Sequence, residues 1–415
     1  MSREVPEGWR LTTFSDIASN VSARNRSRDE IPVLSVTKYD GFVPSEEYFK
    51  KKVFSADTEN YKIVRKGQFA YATIHLDEGS IDRLTRFDVG LISPMYTVFE
   101  VDERQADPDF ILRFFKFYAT NGQFDALGNG GVNRRKSISF STLGRLSIAL
   151  PSLHEQRRIA EILSSVDEAI ASTRSVMEQT RKLKQGVLER LLTKGIGHTR
   201  FKQTGIGEIP EGWEIVRLNH IAERTTYGFT NPMSTVEDGP WMITAANILE
   251  GKINYKTARK TDRIEFETLL SEKSKPAENT VLITKDGTLG RVAIVDKGDL
   301  CINQSVAAVT PIEWRILPRF LYWLLQSPSV QTRILAEAGG STIKHIYISK
   351  LAETVLQLPP LNEQEEIVRN IDLVELSFER EHSHFGALVA FKAALMSDLL
   401  TGRKRVTDAL PMAAE

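Results

Sequence analysis

Two long stretches of the chain carry apolar residues in alternating steps of four and three. The first runs from Ile159 to Leu191 and the second from Ile367 to Leu399, and their seam positions correspond pairwise at a spacing of 208 residues. This is the heptad pattern of a coiled-coil seam. The polar interruptions of the seam also correspond, Thr173 with Glu381 and Lys184 with Lys392.

Each stretch is predicted to form a helix of about 40 residues, which is about 60 Å long at ~1.5 Å per residue. A helix with one apolar stripe must bury that stripe, and the other copy in the same chain is a ready partner. We therefore expect the two helices to pack antiparallel and to hold globular parts at opposite ends. The alternative, in which each helix lies along its own globular part, remains open at this point.

The residues that precede each long helix have a different pattern. Short β-rich runs such as Ile31–Val36, Met95–Val101 and Thr280–Thr284 are separated by Gly, Pro and Asp. A shorter helical stretch lies among them in each half of the chain, at Phe110–Tyr118 and at Phe320–Leu325. These globular parts are predicted to be α+β.

Sequence motifs repeat in the same order along the two halves. A unit of about 200 residues is therefore present twice, which predicts an internal pseudo-two-fold repeat. The matching pairs are Pro6–Trp9 with Pro210–Trp213, Leu150–Gln156 with Leu358–Gln364, and Leu191–Thr193 with Leu399–Thr401.

The composition is that of a folded protein with a sizeable core. Of 415 residues, 41% are hydrophobic and 26% are charged, and the 54 basic residues balance the 54 acidic ones. Contacts with nucleic acid must therefore come from local basic clusters. The single cysteine, Cys301, excludes an internal disulfide and a multi-cysteine zinc site, and it is predicted to be a buried thiol.

Neither a signal peptide nor a membrane span is predicted. The first residues, Met1–Trp9, lack an apolar core, and the most apolar short run, Phe320–Leu325, is far below the ~20 residues that a membrane helix needs. We expect a cytoplasmic protein.

The motifs of most catalytic classes are missing. The chain has neither a phosphate-binding Gly-x4-Gly-Lys-Ser/Thr loop nor a His-Glu-x-x-His zinc motif. Asn231–Met233 lacks the second proline and the aromatic residue of an adenine methyltransferase motif, and Gly287–Gly290 is only a fragment of a nucleotide-binding fingerprint. His382 and His384 lie on different helix faces and make a poor metal clamp. No catalytic residue, cofactor or metal is therefore expected.

The best candidates for DNA contact are polar loops that follow glycines. In the loop that follows the glycine pair, Lys136 and Lys344 are the only cations that fall at the same place in both halves, and we interpret them as phosphate anchors. Asn303 and Gln304 carry amides, which pair well with adenine edges. For each loop a solvated turn or a plain hairpin is the alternative. The candidate DNA-binding residues are Thr37, Lys38, Arg134, Arg135, Lys136, Ser137, Thr244, Asn247, Lys285, Thr288, Arg291, Asn303, Gln304, Lys344 and His345.

The loop Lys285–Arg291 also has a loose match in the first half. Aligning it with Leu76–Ser80 at the spacing of the other repeats pairs Gly79 with Gly287.

Together these motifs resemble the DNA specificity subunits of type I restriction–modification systems. The Leu-Pro-x-Leu-x-Glu-Gln strings at 150–156 and 358–364, each followed by heptads and ending in Leu-Leu-Thr, carry the resemblance over nearly the whole chain. It implies a non-catalytic subunit with two target recognition domains, each reading one half of a bipartite DNA site. The two helices would set the gap and dock two DNA adenine methyltransferase subunits, and two restriction subunits could join them.

The resemblance implies the fold class and the domain order. The expected fold is α+β, with two target recognition domains separated by two long antiparallel coiled-coil helices. The expected segments are recognition domain 1 at 1–150, spacer helix 1 at 151–195, a linker at 196–209, recognition domain 2 at 210–358, spacer helix 2 at 359–405 and a tail at 406–415. Two other functions remain open, a coiled-coil adaptor without DNA readout and a DNA methyltransferase in its own right.

Overall fold

A computed structural model describes residues 5–124, 127, 137–339 and 344–406 of the chain. The chain divides into two compact units. Unit 1 comprises Met1–Arg174 together with Ser383–Glu415, and unit 2 comprises Ser175–His382. Each unit therefore contains one globular part and portions of both long helices.

Unit 1 begins with a mixed α+β part. Its helices are α1 (Phe14–Ile17), α2 (Ser45–Phe49), α3 (Pro108–Thr120) and α4 (Phe140–Gly144), followed by the long helix α5 (Leu153–Lys194). Its strands are β1 (Arg10–Thr13), β2 (Ala18–Val21), β3 (Leu34–Thr37), β4 (Gly41–Pro44), β5 (Lys62–Arg65), β6 (Phe69–Ala72), β7 (Ile81–Arg83), β8 (Val89–Ile92), β9 (Tyr96–Val101) and β10 (Ser147–Leu150).

A four-stranded antiparallel sheet in the order β2-β9-β6-β7 forms the centre of unit 1. Its core is aromatic, with Phe69 stacked on Phe99 at 4.8 Å and Phe14 edge-on to Phe115 at 5.0 Å. The helix α3 covers this core. It begins where Asp107 accepts a hydrogen bond from the amide of Phe110 and where a proline occupies the first turn, and both features favour a helix start.

Unit 2 repeats this arrangement with additional elements. Its helices are α6 (Arg263–Leu269), α7 (Pro318–Gln326), α8 (Pro328–Ala336), α9 (Ile348–Ala352) and the long α10 (Leu361–Leu399), with 3-10 turns at Leu218–His220, Ala245–Asn247 and Glu272–Ser274. Its strands are β11 (Phe201–Thr204), β12 (Gly207–Pro210), β13 (Glu214–Arg217), β14 (Ala222–Tyr227), β15 (Val236–Ile243), β16 (Ile248–Leu249), β17 (Lys252–Ile253), β18 (Arg259–Lys260), β19 (Val281–Thr284), β20 (Val292–Ile294), β21 (Leu300–Ile302), β22 (Val306–Pro311) and β23 (Val355–Leu358).

The central sheet of unit 2, β14-β22-β19-β20, has the same order as that of unit 1. A second sheet, β18-β15-β21, includes the parallel pair β15 and β21. In both units a short strand at the start of the globular part pairs antiparallel with the strand that precedes the long helix, β1 with β10 and β13 with β23. The predicted internal repeat and the α+β fold class are confirmed.

The repeated glutamine explains the motif that precedes each long helix. Gln156 accepts a hydrogen bond from the amide of Asp107 at 2.7 Å and donates to the carbonyl of Pro151 at 2.9 Å. Gln364 makes the same two bonds in unit 2, with the amide of Leu317 and the carbonyl of Pro359, each at 2.9 Å. Since both glutamines are buried, each fastens the start of a long helix to its globular part.

The heptad seam is confirmed on both long helices. Every predicted seam position is at least partly shielded from solvent, whereas most of the flanking positions are exposed. In unit 1, Lys392 pairs with Asp167 at 2.6 Å and Arg174 lies over the ring of Phe385, so α5 and α10 run antiparallel there. In unit 2, Lys184 forms an ion pair with Glu375, and here too the end of α5 lies beside the start of α10.

The segment predicted as a linker has structure of its own. The strands β11 and β12 form an antiparallel hairpin, in which Phe201 lies opposite Pro210. Its glycine-rich, polar sequence lacks the alternation of a half-buried strand, so the pattern indicated only a connection. The hairpin follows α5 directly, and the ammonium group of Lys194 at the helix end contacts Glu208.

Candidate nucleic-acid interface

Several loops of unit 2 converge on Ser305, between β21 and β22. The carbonyl of Ser305 accepts a hydrogen bond from the amide of Lys285 at 2.9 Å, and its hydroxyl accepts one from the amide of Ala245 at 2.9 Å. The backbone amide of the preceding residue, Gln304, donates a hydrogen bond to the carbonyl of Phe229 at 2.8 Å. Backbone bonds thus hold these loops at one place, which we call the unit 2 loop cluster, formed by residues 227–230, 243–247, 284–291, 303–305 and 344–347.

The chain that follows α8 joins this cluster through Lys285. The carbonyl of Lys285 accepts a hydrogen bond from the amide of Ile346 at 2.9 Å. His345 exchanges two backbone bonds with Gly339, and its ring lies edge-on to Tyr347 at 4.3 Å. A Cβ atom at position 339 would lie 2.5 Å from the Tyr347 ring, so any larger residue there would displace that ring. Gly340, the second glycine of the predicted pair, lies outside the described residues.

The cluster brings together the sequence-predicted residues of the second half. Gln304, Thr288 and Lys344 are exposed at its surface. The ammonium group of Lys285 lies 2.8 Å from a carboxylate oxygen of Asp286 and 3.3 Å from the carbonyl of Gln304. These side chains offer a cation, amides and a hydroxyl on a framework held by backbone bonds, which is a suitable surface for hydrogen bonding to a polar ligand such as a base edge or a phosphate.

Other predicted residues are engaged inside the fold. Asn247 is only 5% exposed, and its amide oxygen accepts from both the amide and the hydroxyl of Thr244, at 2.9 and 2.8 Å. The amide oxygen of Asn303 accepts from the backbone and hydroxyl of Ser305. Arg291 donates to the carbonyl of Ile248 at 3.3 Å. These hydrogen bonds help to shape the loops, and for Asn303 and Arg291 they occupy only part of the bonding capacity of the side chain.

The corresponding region of unit 1 is built around Thr73, after β6. Its amide donates to the carbonyl of Met95, and its carbonyl accepts from the amide of Ile138 at 2.8 Å. Ser137, a predicted contact residue, is exposed beside this bond. The predicted residues Arg134, Arg135 and Lys136 lie outside the described residues.

Thr37 is the last residue of β3, and Lys38 lies in the turn between β3 and β4. The hydroxyl of Thr37 accepts a hydrogen bond from the amide of Asp40 at 3.0 Å and so caps the turn. Lys38 is exposed, and its ammonium group lies 5.2 Å from the ring centre of Tyr39, which is itself 84% exposed. An exposed aromatic side chain beside a cation is typical of nucleic-acid contact surfaces.

One lysine that the sequence did not single out joins two of these loops. Lys116 on α3 donates hydrogen bonds from Nζ to the carbonyl of Lys38 at 2.9 Å and to the carbonyl of Gly79 at 2.8 Å. Burial lowers the pKa of Lys116. The sequence signal for the role of Lys116 is its charge within the apolar run Phe110–Tyr118. A charged side chain is buried on an apolar helix face only where it has polar partners.

In unit 2 a glutamine on a different helix makes the corresponding bond. Gln331 on α8 donates from Nε2 to the carbonyl of Gly290 at 2.9 Å. Gly290 and Gly79 both have positive φ, +81° and +89°, and each lies two residues before the second strand of its hairpin, β20 or β7. The structure therefore pairs Gly79 with Gly290. The alignment of Gly79 with Gly287 is wrong, because the turn in unit 1 is longer by one residue and the strands on both sides are offset.

Some chemistries find no support within the described residues. No group of three or more His, Cys, Asp or Glu side chains is arranged to hold a metal ion in the part of the chain that the structure describes. Across the same residues, none of the helices has both the length and the hydropathy that crossing a bilayer requires.

The comparisons with known proteins give the class of protein. The family model for the type I restriction modification DNA specificity domain matches residues 24–179 and 210–382. The chain belongs to this family. The two matched segments fall in the two halves of the internal repeat.

Individual relatives match over long stretches. The specificity subunit of the type I restriction enzyme MjaVIII from Methanocaldococcus jannaschii is 24% identical over 415 residues, covering 97% of this chain and 95% of that protein. The EcoBI specificity subunit of Escherichia coli is 29% identical over 282 residues, covering 63% and 58%. A solved structure from work on complex assembly of a type I R-M system has a TM-score of 0.62 at 17% identity, covers 97% of this chain and 100% of that chain, and shares the fold.

Proposed function

We propose that this chain is the non-catalytic subunit that gives a type I restriction–modification complex its DNA sequence specificity, each unit reading one half of a bipartite duplex site. One observation carries the proposal. The two units share their sheet order and loop-holding backbone bonds, yet the side chains on those loops differ. A common framework with different side chains is what reading two different half-sites requires.

Within this proposal the segments have separate tasks. Residues 1–150 and 210–358 form the two target recognition domains, and 196–209 connects the halves ahead of a tail at 406–415. The spacer segments 151–195 and 359–405 contain the long helices α5 (Leu153–Lys194) and α10 (Leu361–Leu399). A 42-residue helix such as α5 is about 60 Å long. That length supports a role in setting the gap, because it exceeds one turn of B-DNA, about 34 Å.

The proposed partners are double-stranded DNA, two DNA adenine methyltransferase subunits and two restriction subunits. Apolar side chains off the seam of the long helices support docking of protein partners. Leu183 is 62% exposed, Leu373 61% and Phe391 54%. Exposed apolar side chains of this size commonly mark protein interfaces. The methyltransferase subunits would bring the methyl donor and the catalytic residues.

Among the described residues, the contact residues are assigned by their exposure and hydrogen bonds, whereas Arg134, Arg135 and Lys136 are assigned from the sequence alone. Lys344, with Lys136 in unit 1, would contact phosphate, and Gln304 and Asn303 would read base edges. The other proposed DNA-binding residues are Thr37, Lys38, Arg134, Arg135, Ser137, Lys285, Thr288, Arg291 and His345. Thr244 and Asn247 would act by shaping the loop between β15 and β16.

Mapping methylated adenine across the chromosome tests the proposal. Cells with the intact gene and its neighbouring methyltransferase are compared with cells that lack only this chain. We expect a split sequence motif that disappears with the chain. If methylation is unchanged, titration of the purified complex with duplex DNA at several salt concentrations decides between DNA reading and a coiled-coil adaptor, since only the former has salt-dependent affinity.

Two sets of variants test the division of tasks. Lys344→Ala should weaken binding to all duplexes by a similar factor, whereas Gln304→Ala should change the base preferred in one half-site. Deleting one heptad from α5 should shorten the gap between the half-sites or abolish binding. A motif with an unchanged gap would exclude the spacer role of the helix.

A further inference from the structure

The turn between β6 and β7 in unit 1, residues 73–80, is the structural equivalent of the turn between β19 and β20 in unit 2, residues 285–291. Both connect antiparallel neighbours at the same place in the central sheet. The carbonyl of Thr73 accepts from Ile138 as that of Lys285 accepts from Ile346, at 2.8 and 2.9 Å. This equivalence comes from hydrogen bonds and strand order and not from sequence similarity.

Each of the two turns accepts a hydrogen bond from a helix side chain. Lys116 donates a hydrogen bond to the carbonyl of Gly79, and Gln331 donates one to the carbonyl of Gly290. Within the first turn, the amide of Ser80 donates to the carbonyl of His75 at 3.1 Å. Two unrelated side chains thus fix equivalent glycine carbonyls. A turn whose shape is fixed in advance loses little entropy when it binds a ligand.

The turn of unit 1 lies among the segments proposed to contact DNA. Through Lys116 it is tied to the exposed turn that carries Lys38 and Tyr39. Through Thr73 it is tied to the chain at Ile138, directly after the exposed Ser137. The equivalent turn of unit 2 lies in the loop cluster with Gln304 and His345.

This turn presents two carboxylates with unused acceptor capacity. Asp77 uses Oδ1 to accept the amide of Glu78 at 3.1 Å, and Glu78 directs Oε1 to Nδ1 of His75 at 3.0 Å. Their second oxygens accept no bond from any residue that the structure describes. The side chain of Glu78 is 59% exposed.

Carboxylates repel the phosphate backbone, so a DNA-facing turn gains from them only where they meet hydrogen-bond donors. In the major groove those donors are the exocyclic amino groups, N4 of cytosine and N6 of adenine. Lys38, on the neighbouring turn between β3 and β4, supplies positive charge for the phosphates. In unit 2 the equivalent turn carries Lys285 and Thr288, so the two turns differ in what they offer to a base.

We propose that Asp77 and Glu78 read the half-site of unit 1 by accepting hydrogen bonds from base amino groups. The proposal rests on the proposed function and assigns specificity residues within it. Asp77→Asn and Glu78→Gln keep the size of each side chain and replace an acceptor oxygen by a donor. Each change should therefore reverse the preference at the base it contacts.

The test maps methylated adenine in cells whose chromosomal gene carries Asp77→Asn, Glu78→Gln or both. We expect at least one base of one half-site to change or lose selectivity, with fewer of the original sites methylated, because one mispaired contact lowers the affinity for a site about 5- to 150-fold. The other half-site should be unchanged. Thr288→Val in unit 2 should affect that other half-site and not the first.

Asp88→Asn is the matched control, since Asp88 is a 91% exposed unit 1 carboxylate that pairs with Lys66. It should leave the whole methylated motif unchanged.

An unchanged motif in both single variants and in the double variant would overturn the inference. If methylation is lost altogether, the melting temperature of the purified complex and its affinity for a non-specific duplex are measured. Normal values for both support base reading, and reduced values for every variant contradict it. Absence of a split motif with the wild-type chain would instead refute the proposed function.

Discussion

The guanidinium group of Arg405 donates two hydrogen bonds to the carboxylate of Glu155, Nε to Oε1 and Nη2 to Oε2, both at 2.8 Å. Glu155 lies in the first turn of α5 with its side chain 6% exposed. Its repeat equivalent, Glu363, accepts instead from Nε1 of Trp213 at 2.9 Å and from His198 at 2.7 Å. The glutamate of the repeated motif thus anchors, in each unit, a segment that lies far away in sequence.

Replacing Arg405 by alanine should destabilise unit 1. Among the described residues, the buried Glu155 carboxylate would keep only the amide of Val406 at 3.3 Å, and the hydrogen bond to Glu155, which raises the pKa of Arg405, would be lost. Because Arg405 is about one-third exposed, we expect a loss of ~1–2 kcal/mol in the free energy of unfolding. Urea unfolding followed by circular dichroism measures it.

Arg403→Ala is the control for that experiment. Arg403 is 61% exposed and pairs with Asp398 near the end of α10. Its replacement should change the free energy of unfolding by less than ~0.5 kcal/mol. Equal effects of the two substitutions would mean that the Glu155 contact does not stabilise the unit.

Replacing Asp167 should also lower the free energy of unfolding of unit 1. Its carboxylate accepts from Arg113 on α3 at 2.7 Å and pairs with Lys392 on α10 at 2.6 Å, so it joins the globular part to both long helices. Asp167→Ala should cost ~1–3 kcal/mol, and Asp167→Asn should cost less because the amide oxygen can still accept from Arg113. The exposed neighbour Glu168, changed to alanine, should be nearly neutral in the same denaturant titration.

The sequence predicts the long-range organisation better than the site. The heptads and the motif repeats indicate both long helices and the doubled α+β fold, because these depend on regular spacing. The pairing of Gly79 with Gly290 was missed, since one extra residue in a turn shifts the alignment while the strands stay in place. Lys116 donates hydrogen bonds to two carbonyls that lie 37 and 78 positions before it in the chain. Local sequence patterns do not indicate contacts over such separations.

Cys301 should be unreactive in the folded protein. It lies on β21 among Met242, Phe266 and Leu270, fully buried as predicted, and burial raises the pKa of its thiol to about 12. Alkylation requires the thiolate, so iodoacetamide at neutral pH should leave the native chain unlabelled and label it completely in concentrated urea. Mass spectrometry counts the label. Rapid labelling of the native protein would contradict the buried position.

The Asp82 carboxyl should give the stability of unit 1 a dependence on pH. Burial raises its pKa above the ordinary 3.8, while its Oδ2 accepts from the amide of Phe42 at 3.0 Å. The folded chain therefore binds this proton more tightly than the unfolded chain, and the free energy of unfolding falls as the pH rises from 3.8 through the raised pKa.

Asp82→Asn removes this titration and keeps the acceptor for Phe42. Relative to the wild type, the variant should gain stability as the pH rises from about 4 towards neutrality. Free energies of unfolding measured for both proteins over that range provide the comparison. A difference that stays constant with pH would show that the carboxyl titrates alike in the folded and unfolded chains.

Unit 1 is assembled from two pieces of chain separated by all of unit 2. During synthesis on a ribosome, the continuous unit 2 has every residue it needs once His382 has left the exit tunnel. The N-terminal globular part emerges first, but unit 1 is complete only after the last residues of α10 and Arg405 have been synthesised. The half of the protein that is made first is therefore the last to be completed, and a premature stop near the C-terminus damages the N-terminal unit.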